Sequence, residues 1–262
     1  MQQEPLVLLA KSSDGIATLT LNRPEKYNAF TRDMITEWHR ILCESEEDPS
    51  VKVIVLTGAG NAFCSGGDIG AQKERAENDS LERKDWLFRH VHKIAMTMER
   101  IDKPTIAAIN GPARGAGLDM ALMCDLRVMA QSATVAESYI NVGLISGDGG
   151  TYYLPRLIGM PRALELFWTG RVVTAEEAER IGMVNRVVPD DQLLPASHEL
   201  ARQIAAQPFE AVRAYKRAAY QGMGMSLVTH LDMLSSHMSV LRDTPDHRSK
   251  VAAFLQRKRG DG

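Results

Sequence analysis

Two apolar runs, each ending in a glycine-rich turn, constrain this chain more than any other feature. Val51-Lys52-Val53-Ile54-Val55-Leu56-Thr57 closes on Gly58-Ala59-Gly60 and leads into the small-residue turn of residues 61–70, which holds Ser65-Gly66-Gly67-Asp68. Thr105-Ile106-Ala107-Ala108-Ile109, opened by Pro104, runs into the turn Gly111 to Gly117 and then into a helix beginning near Leu118. Short apolar runs bounded this way read as largely buried strands. An Asp14-Gly15 turn between Leu6–Leu9 and Ile16–Leu21 predicts a hairpin ahead of them. Thr31 is placed to cap a helix over about 32–47, with Met34, Ile35, Trp38, Ile41 and Leu42 on one stripe. A second helix carries Leu87, Val91, Ile94, Ala95, Met98 and Ile101, and Arg127–Ala130 and Thr134–Ala136 read as further strands. The repeated order strand, strand, helix belongs to neither a Rossmann fold nor a barrel.

Past residue 190 the strand-like runs stop: 192–221 and 225–242 are helical by pattern, and Phe254 to Lys258 reads as a polar tail. The expected division is an α/β core over 1–190 and a helical lobe over 191–262 that packs on the core or on a neighbour. A chain of 262 residues can bury such a core without disulfides or metals. Lys and Arg number 31 against 33 Asp and Glu, a net charge of -2, which argues against a nucleic-acid binder or a polybasic membrane binder. Cys43, Cys64 and Cys124 have no CxxC or Cys/His zinc spacing and read as reduced thiols of a cytoplasmic protein. No basic leader and no membrane-length apolar stretch is expected. Residues 71–85 are dense in charge, with Lys73, Arg75, Arg83 and Lys84 alternating with acids, and read as an exposed segment.

Small residues in the two turns let backbone approach a ligand, and amide N–H groups converging there could stabilise charge developing on a carbonyl oxygen. The alternative is that the glycines merely permit tight turns. Asp119 lies just after the second turn between Leu118 and Met120, and Asp148 lies in Ser146-Gly147-Asp148-Gly149-Gly150. A carboxyl among apolar neighbours gains proton affinity, which suits acid–base work near neutral pH. The plainer readings are a first-turn helix acid and a turn former. No serine sits in a GxSxG elbow, and His90 and His92 lie two apart on different helix faces, so they form no metal pair.

These turns also carry a resemblance. Leu21-Asn22-Arg23-Pro24-Glu25-Lys26-Tyr27-Asn28-Ala29-Phe30, Ala62 to Ile69, Lys103 to Gly111, Gly115 to Asp125, Leu154 to Gly159 and Ala175 to Pro189 resemble, in order, the motifs of the crotonase (enoyl-CoA hydratase/isomerase) superfamily. The resemblance implies a crotonase-type α/β spiral of ββα units and a C-terminal helical oligomerisation lobe that builds a homotrimer or a hexamer of two trimers. It implies an acyl-CoA thioester substrate of fatty-acid type, with coenzyme A part of that substrate and no metal or redox cofactor. Carried over by position, the oxyanion-hole donors are the N–H groups of Gly67 and Ala116. Gly67, Asp68, Ile69 and Gly70 line the CoA channel, with Lys26 the nearest cation for the CoA phosphates. Relatives often carry lysine where this chain has Gly70.

Two-acid hydratases of the family carry glutamate at the positions of Asp119 and Tyr139, and a tyrosine is a poor base for water. Asp148 is the candidate for the missing carboxylate; dienoyl-CoA isomerases carry an aspartate one position earlier in this turn. The resemblance therefore implies a lyase or isomerase, first an enoyl-CoA hydratase using Asp119, Asp148 and Tyr139. Enoyl- or dienoyl-CoA isomerisation is the alternative. Hydrolysis or dehalogenation would give His92 a role, and a non-catalytic acyl-CoA- or RNA-binding relative is a further class. Residues 71–90, with Trp86 and Phe88, are expected in the acyl-pocket wall.

Overall fold

Parallel pairing of runs that are apolar at every position demands cover on both faces, and the architecture supplies it. The structure, a computed structural model, describes residues 4–68, 70 and 79–260, with side chains through Gln256. Ile69, expected in the CoA channel, and residues 71–78 of the expected pocket wall lie outside the described residues. The main sheet has six strands in the order β1 (Val7–Lys11), β2 (Ile16–Leu21), β3 (Val53–Gly58), β4 (Thr105–Ile109), β6 (Leu126–Ala130), β9 (Arg186–Val188). The β1–β2 hairpin is antiparallel and every later pair is parallel, with Ile16 opposite Val53, Ile54 opposite Thr105 and Ile106 opposite Leu126. A second sheet joins β5 (Ala113–Arg114), β7 (Thr134–Ala136) and β8 (Val173–Thr174). The successive pairs β4–β5 and β6–β7 each send one strand to the main sheet and the next to the second before a helix follows, the repeat of the expected spiral of ββα units.

Helix α1 (Arg32–Glu47) is capped by Thr31, whose hydroxyl accepts from the Met34 N–H, and it buries Met34, Ile35, Trp38, Ile41 and Leu42 against the core. A second helical run begins as α2 (Ser80–Trp86) under an Asp79 cap, passes through a π-turn at Leu87–Val91 and continues as α3 (His92–Arg100). Part of the charged segment read as merely exposed is therefore helix. Helix α4 (Ala116–Leu122) is buried along its whole length and starts two residues earlier than the sequence suggests. Next come α5 (Gly150–Ile158), α6 (Met160–Thr169) and α7 (Ala175–Arg180).

The C-terminal third departs from expectation in two places. The stretch 192–221, helical by pattern, is broken into two helices, α8 (Leu193–Ala205) and α9 (Phe209–Gly222), because Pro208 has no N–H to donate and its ring opposes the preceding turn. Helix α8 packs against β2, β3, β4 and β6, so the first helix past residue 190 covers the main sheet. Helices α10 (Leu227–Arg242) and α11 (Pro245–Gly260) complete the chain, and the stretch read as a polar tail is helical. Among the described residues no helix is long and apolar enough to cross a membrane.

Two close approaches set the site. Gly117 packs so tightly under the first turn that a Cβ there would lie 2.0 Å from the Cys64 carbonyl oxygen. Asn28, itself left-handed at φ 56°, is buried and ties that turn down: its Nδ2 donates to the carbonyls of Ala59 and Ala62, and its Oδ1 accepts from the Arg23 N–H. The Phe30 N–H donates to the Gly66 carbonyl and the Asp68 N–H to the Phe30 carbonyl, completing the frame. Gly117→Ala is expected to destabilise the protein by at least about 1–3 kcal/mol, since backbone on both sides must part; urea unfolding at constant m-value measures it.

Candidate active site

The two turns form one wall of a cleft of about 970 Å³. Gly66, Gly67 and Asp68 come from the first turn, and Arg114, Gly115 and Ala116 from the second. Gly115 adopts φ 49°, a left-handed conformation that frees the chain to turn sharply into α4. Ala116 is the first residue of that helix, so its N–H is one that helix geometry leaves without an internal acceptor. Among the described residues neither it nor the Gly67 N–H donates to another backbone group. Trp86, Leu87 and Val91, around the π-turn, form the facing wall with Val142, Leu144 and Ile145. Trp86 thus stands where expected, while Phe88 is exposed, outside the lining, and meets His92 edge-on at 6.0 Å between ring centroids.

At the head of the cleft the expected acids come together with Tyr139. Tyr139 Oη lies 2.9 Å from Asp119 Oδ2 and 2.9 Å from Asp148 Oδ2. Asp119 Oδ2 also accepts from Ser146 Oγ at 2.9 Å and from the Asp148 N–H at 3.2 Å. A phenol has one proton and can donate to one acceptor at a time, so holding both contacts together requires a proton on one carboxyl. The three donors converging on Asp119 favour its charged form, which leaves Asp148 as the carboxyl that carries the exchangeable proton. Tyr139 and Asp148 line the cleft, whereas Asp119, with no exposed surface, stands behind them.

Burial is the main cause that pushes Asp148 up to about 6, with the Asp119 charge adding to it and the Tyr139 hydrogen bond and His92 opposing. Burial likewise raises Asp119, against its hydrogen bonds to Tyr139 and Ser146. Tyr139 is pushed far above the phenol range by burial and the two facing aspartates, so it remains a neutral hydroxyl. His92 lies outside the cleft lining, and its Nε2 is 2.7 Å from the Gly147 carbonyl oxygen; as an N–H donor it tethers the loop that carries Asp148.

The remaining expected residues lie apart from this head. Asp68 pairs with Arg23 at 3.1 Å and accepts from the Gly70 N–H at 2.9 Å. Lys26 and Gly70 are exposed and outside the cleft lining. Sequence reasoning passed over Glu137, whose carboxyl is buried beside Asp119 although it follows directly on β7. Its signal was there in the sequence: a charged residue closing a run of small apolar ones, Ala133 to Ala136. Among the described residues no group of three His, Cys, Asp or Glu is arranged to hold a metal ion.

A spiral of ββα units with two amide-bearing turns facing buried acids defines a class, and comparison with known proteins agrees. The profile of the enoyl-CoA hydratase/isomerase family matches residues 11–261, and the chain belongs to that family. It is 40% identical over 231 residues to a probable enoyl-CoA hydratase of Mycobacterium tuberculosis, covering 86% of this chain and 81% of that protein. It is 34% identical to the short-chain-enoyl-CoA hydratase of Clostridium acetobutylicum, covering 98% and 97%. The crystal structure of an enoyl-CoA hydratase from Mycobacterium smegmatis superposes with a TM-score of 0.90 at 33% identity, covering 97% of each chain.

The raised Asp148 fixes a pH signature. Its folded-state value of about 6 lies above the 3.8 of the free side chain, so the folded protein holds this proton more tightly than the unfolded one. That contribution is fully present below about pH 4 and is lost as pH rises through about 6. Asp148→Asn is therefore expected to be more stable than the parent at pH 8, by up to about 3 kcal/mol, with the gap closing towards pH 4; denaturant unfolding at the two pH values tests it.

Proposed function

We propose that the protein hydrates 2-enoyl-CoA thioesters to 3-hydroxyacyl-CoA, with Asp148 as the acid–base group, Tyr139 as its hydrogen-bond partner and Asp119 as the charge behind them. The observation that carries this reading is the placement of Asp148: raised to about 6, it lines the same cleft as the Gly67 and Ala116 backbone. In the proposed step ionised Asp148 takes a proton from water as the water oxygen bonds to Cβ. The π electrons move toward the thioester oxygen, which accepts from the N–H groups of Gly67 and Ala116. Asp148 then returns the proton to Cα as the thioester carbonyl reforms, so one π bond is lost and one H and one OH are gained. Removing one such donor typically costs about 10²–10³ in rate. The chemistry draws on no metal or redox group.

One observation favours isomerisation as the second reading. Of the two aspartates only Asp148 lines the cleft, and moving a double bond takes a single group that accepts a proton at one carbon and returns it at another. Product analysis separates the two, since only hydration yields a 3-hydroxyacyl thioester.

The apolar wall of Trp86, Leu87, Val91, Leu144 and Ile145 supports an unbranched, uncharged acyl chain as the preferred substrate. Leu227, Val228, Leu231 and Met238 are exposed on one side of α10, an apolar face that supports assembly into a trimer or a hexamer. The free thiols Cys43, Cys64 and Cys124 support a cytoplasmic setting.

With a panel of 2-enoyl-CoA esters beginning at crotonyl-CoA, kcat/KM is expected to rise with pH through about 6, where Asp148 ionises. Asp148→Asn is expected to lower kcat at least about 10²-fold with little change in KM. Absence of turnover across the panel in the parent protein would overturn the hydratase reading, and turnover indifferent to both Asp119→Asn and Asp148→Asn would overturn the site assignment. Light scattering on a sizing column is expected to give a mass of three or six chains.

A further inference from the structure

Among the described residues, Glu137 is the one buried acid that the proposed step does not use. It is 2% exposed, and taken as a carboxylate it has no hydrogen-bond donor on either oxygen. The second oxygen of Asp119, Oδ1, is buried in the same condition. The two vacancies face one another. A Cβ on Gly150 would lie 2.2 Å from Asp119 Oδ1, 2.5 Å from Glu137 Oε1 and 2.6 Å from Ser146 Oγ, so these oxygens crowd around a single point where only glycine fits. Two carboxylates are acceptors only and would leave both oxygens unsatisfied and repelling in a water-free interior. One proton between them makes a donor of one and pairs an oxygen of Glu137 with Asp119 Oδ1.

The groups bearing on this pair fix which carboxyl holds the proton. Asp119, on α4, receives three donors on its other oxygen, from Tyr139, Ser146 and Asp148. Glu137, at the end of β7, faces Asp119 and feels Asp148 beyond it, both of which oppose its ionisation along with its burial. Tyr153 on α5 is a neutral phenol, also raised by burial, and at the far end of the chain of groups His92 favours the ionised form of Asp148. Every one of these influences leaves the charge on Asp119 and the proton on Glu137.

We propose that Glu137 is a positioning residue of the enoyl-CoA reaction, its carboxyl donating a hydrogen bond to Asp119 Oδ1 and so keeping Asp119 ionised behind Tyr139 and Asp148. The order of the relay is Glu137, Asp119, Tyr139, Asp148, with only the last two facing the cleft. Glu137 touches no substrate. It sets the charge against which Asp148 titrates, and this role rests on the reading of Asp148 as the acid–base group.

The test uses the full-length protein and two substitutions. Glu137→Gln keeps a donor toward Asp119 without a titratable proton, and Glu137→Met fills similar volume with none. Carboxyl carbon NMR of aspartate-labelled free protein, with Asp148→Asn assigning the signal, reads the Asp148 titration without any turnover. Losing the donor makes Asp119 harder to ionise, so the repulsion on Asp148 falls and its midpoint moves down. The parent and the Gln protein are expected to titrate alike, and the Met protein lower by on the order of one pH unit. In kinetics with crotonyl-CoA, the Met protein is expected to lose about 10–100-fold in kcat at nearly constant KM, with the acidic limb of its profile displaced in the same direction, and the Gln protein to recover most of that loss. A Met protein that titrates like the parent overturns the proposal. So does a Gln protein whose midpoint moves, which also decides the matter if the Met protein does not fold. If the titrations behave as expected while the parent turns over no enoyl-CoA, the relay stands and the hydratase reading falls.

Discussion

A carboxylate with no exposed surface must receive from the protein all the hydrogen bonds that water would have given it, and Asp119 is that carboxylate here. Its Oδ2 gathers a phenol, a hydroxyl and a backbone N–H from three different positions in the chain. Each donor is thereby fixed in turn. Tyr139 follows the small sheet, Ser146 and Asp148 belong to the glycine-rich loop, and Asp119 itself sits in a helix pressed onto the Cys64 turn. The head of the cleft is assembled around one buried negative charge.

That arrangement separates roles that look alike in composition. Three acids lie together, yet the environment of each is distinct. Asp119 has the donors, Glu137 has a carboxylate opposite it and none of its own, and Asp148 alone reaches the cleft. Burial raises all three, but the hydrogen bonds decide the order in which they give up protons. Tyr139, where two-acid relatives are read to carry glutamate, supplies a proton that never leaves, so it orients one neighbour and binds the other.

Much of this was legible in the sequence, and for physical reasons. Hydrophobic periodicity and a threonine cap marked α1 to the residue, and an Asp-Gly pair marked the first hairpin. Asp119 and Asp148 stood out because a charge among Leu, Met and Gly must be accounted for. What stayed hidden depends on distances across the chain. Glu137, just after β7, and Asp119, on α4, are neighbours only because their carboxyls converge on Gly150 at the start of α5. The break between α8 and α9 lay at Pro208, where local chemistry overrides a continuing apolar stripe. The helical state of the last residues was masked by their polarity, since pattern alone does not distinguish a solvated helix from a tail.

His92 draws the two sides of the cleft into one mechanical unit. It follows the π-turn whose Leu87 and Val91 line the cleft, and it holds the Gly147 carbonyl one residue before Asp148. The same helical run thus serves the apolar wall and the glycine-rich loop opposite it. Wall and loop are therefore one assembly in this fold: the helical run that lends Leu87 to the cleft also lends the imidazole that holds the loop of Asp148.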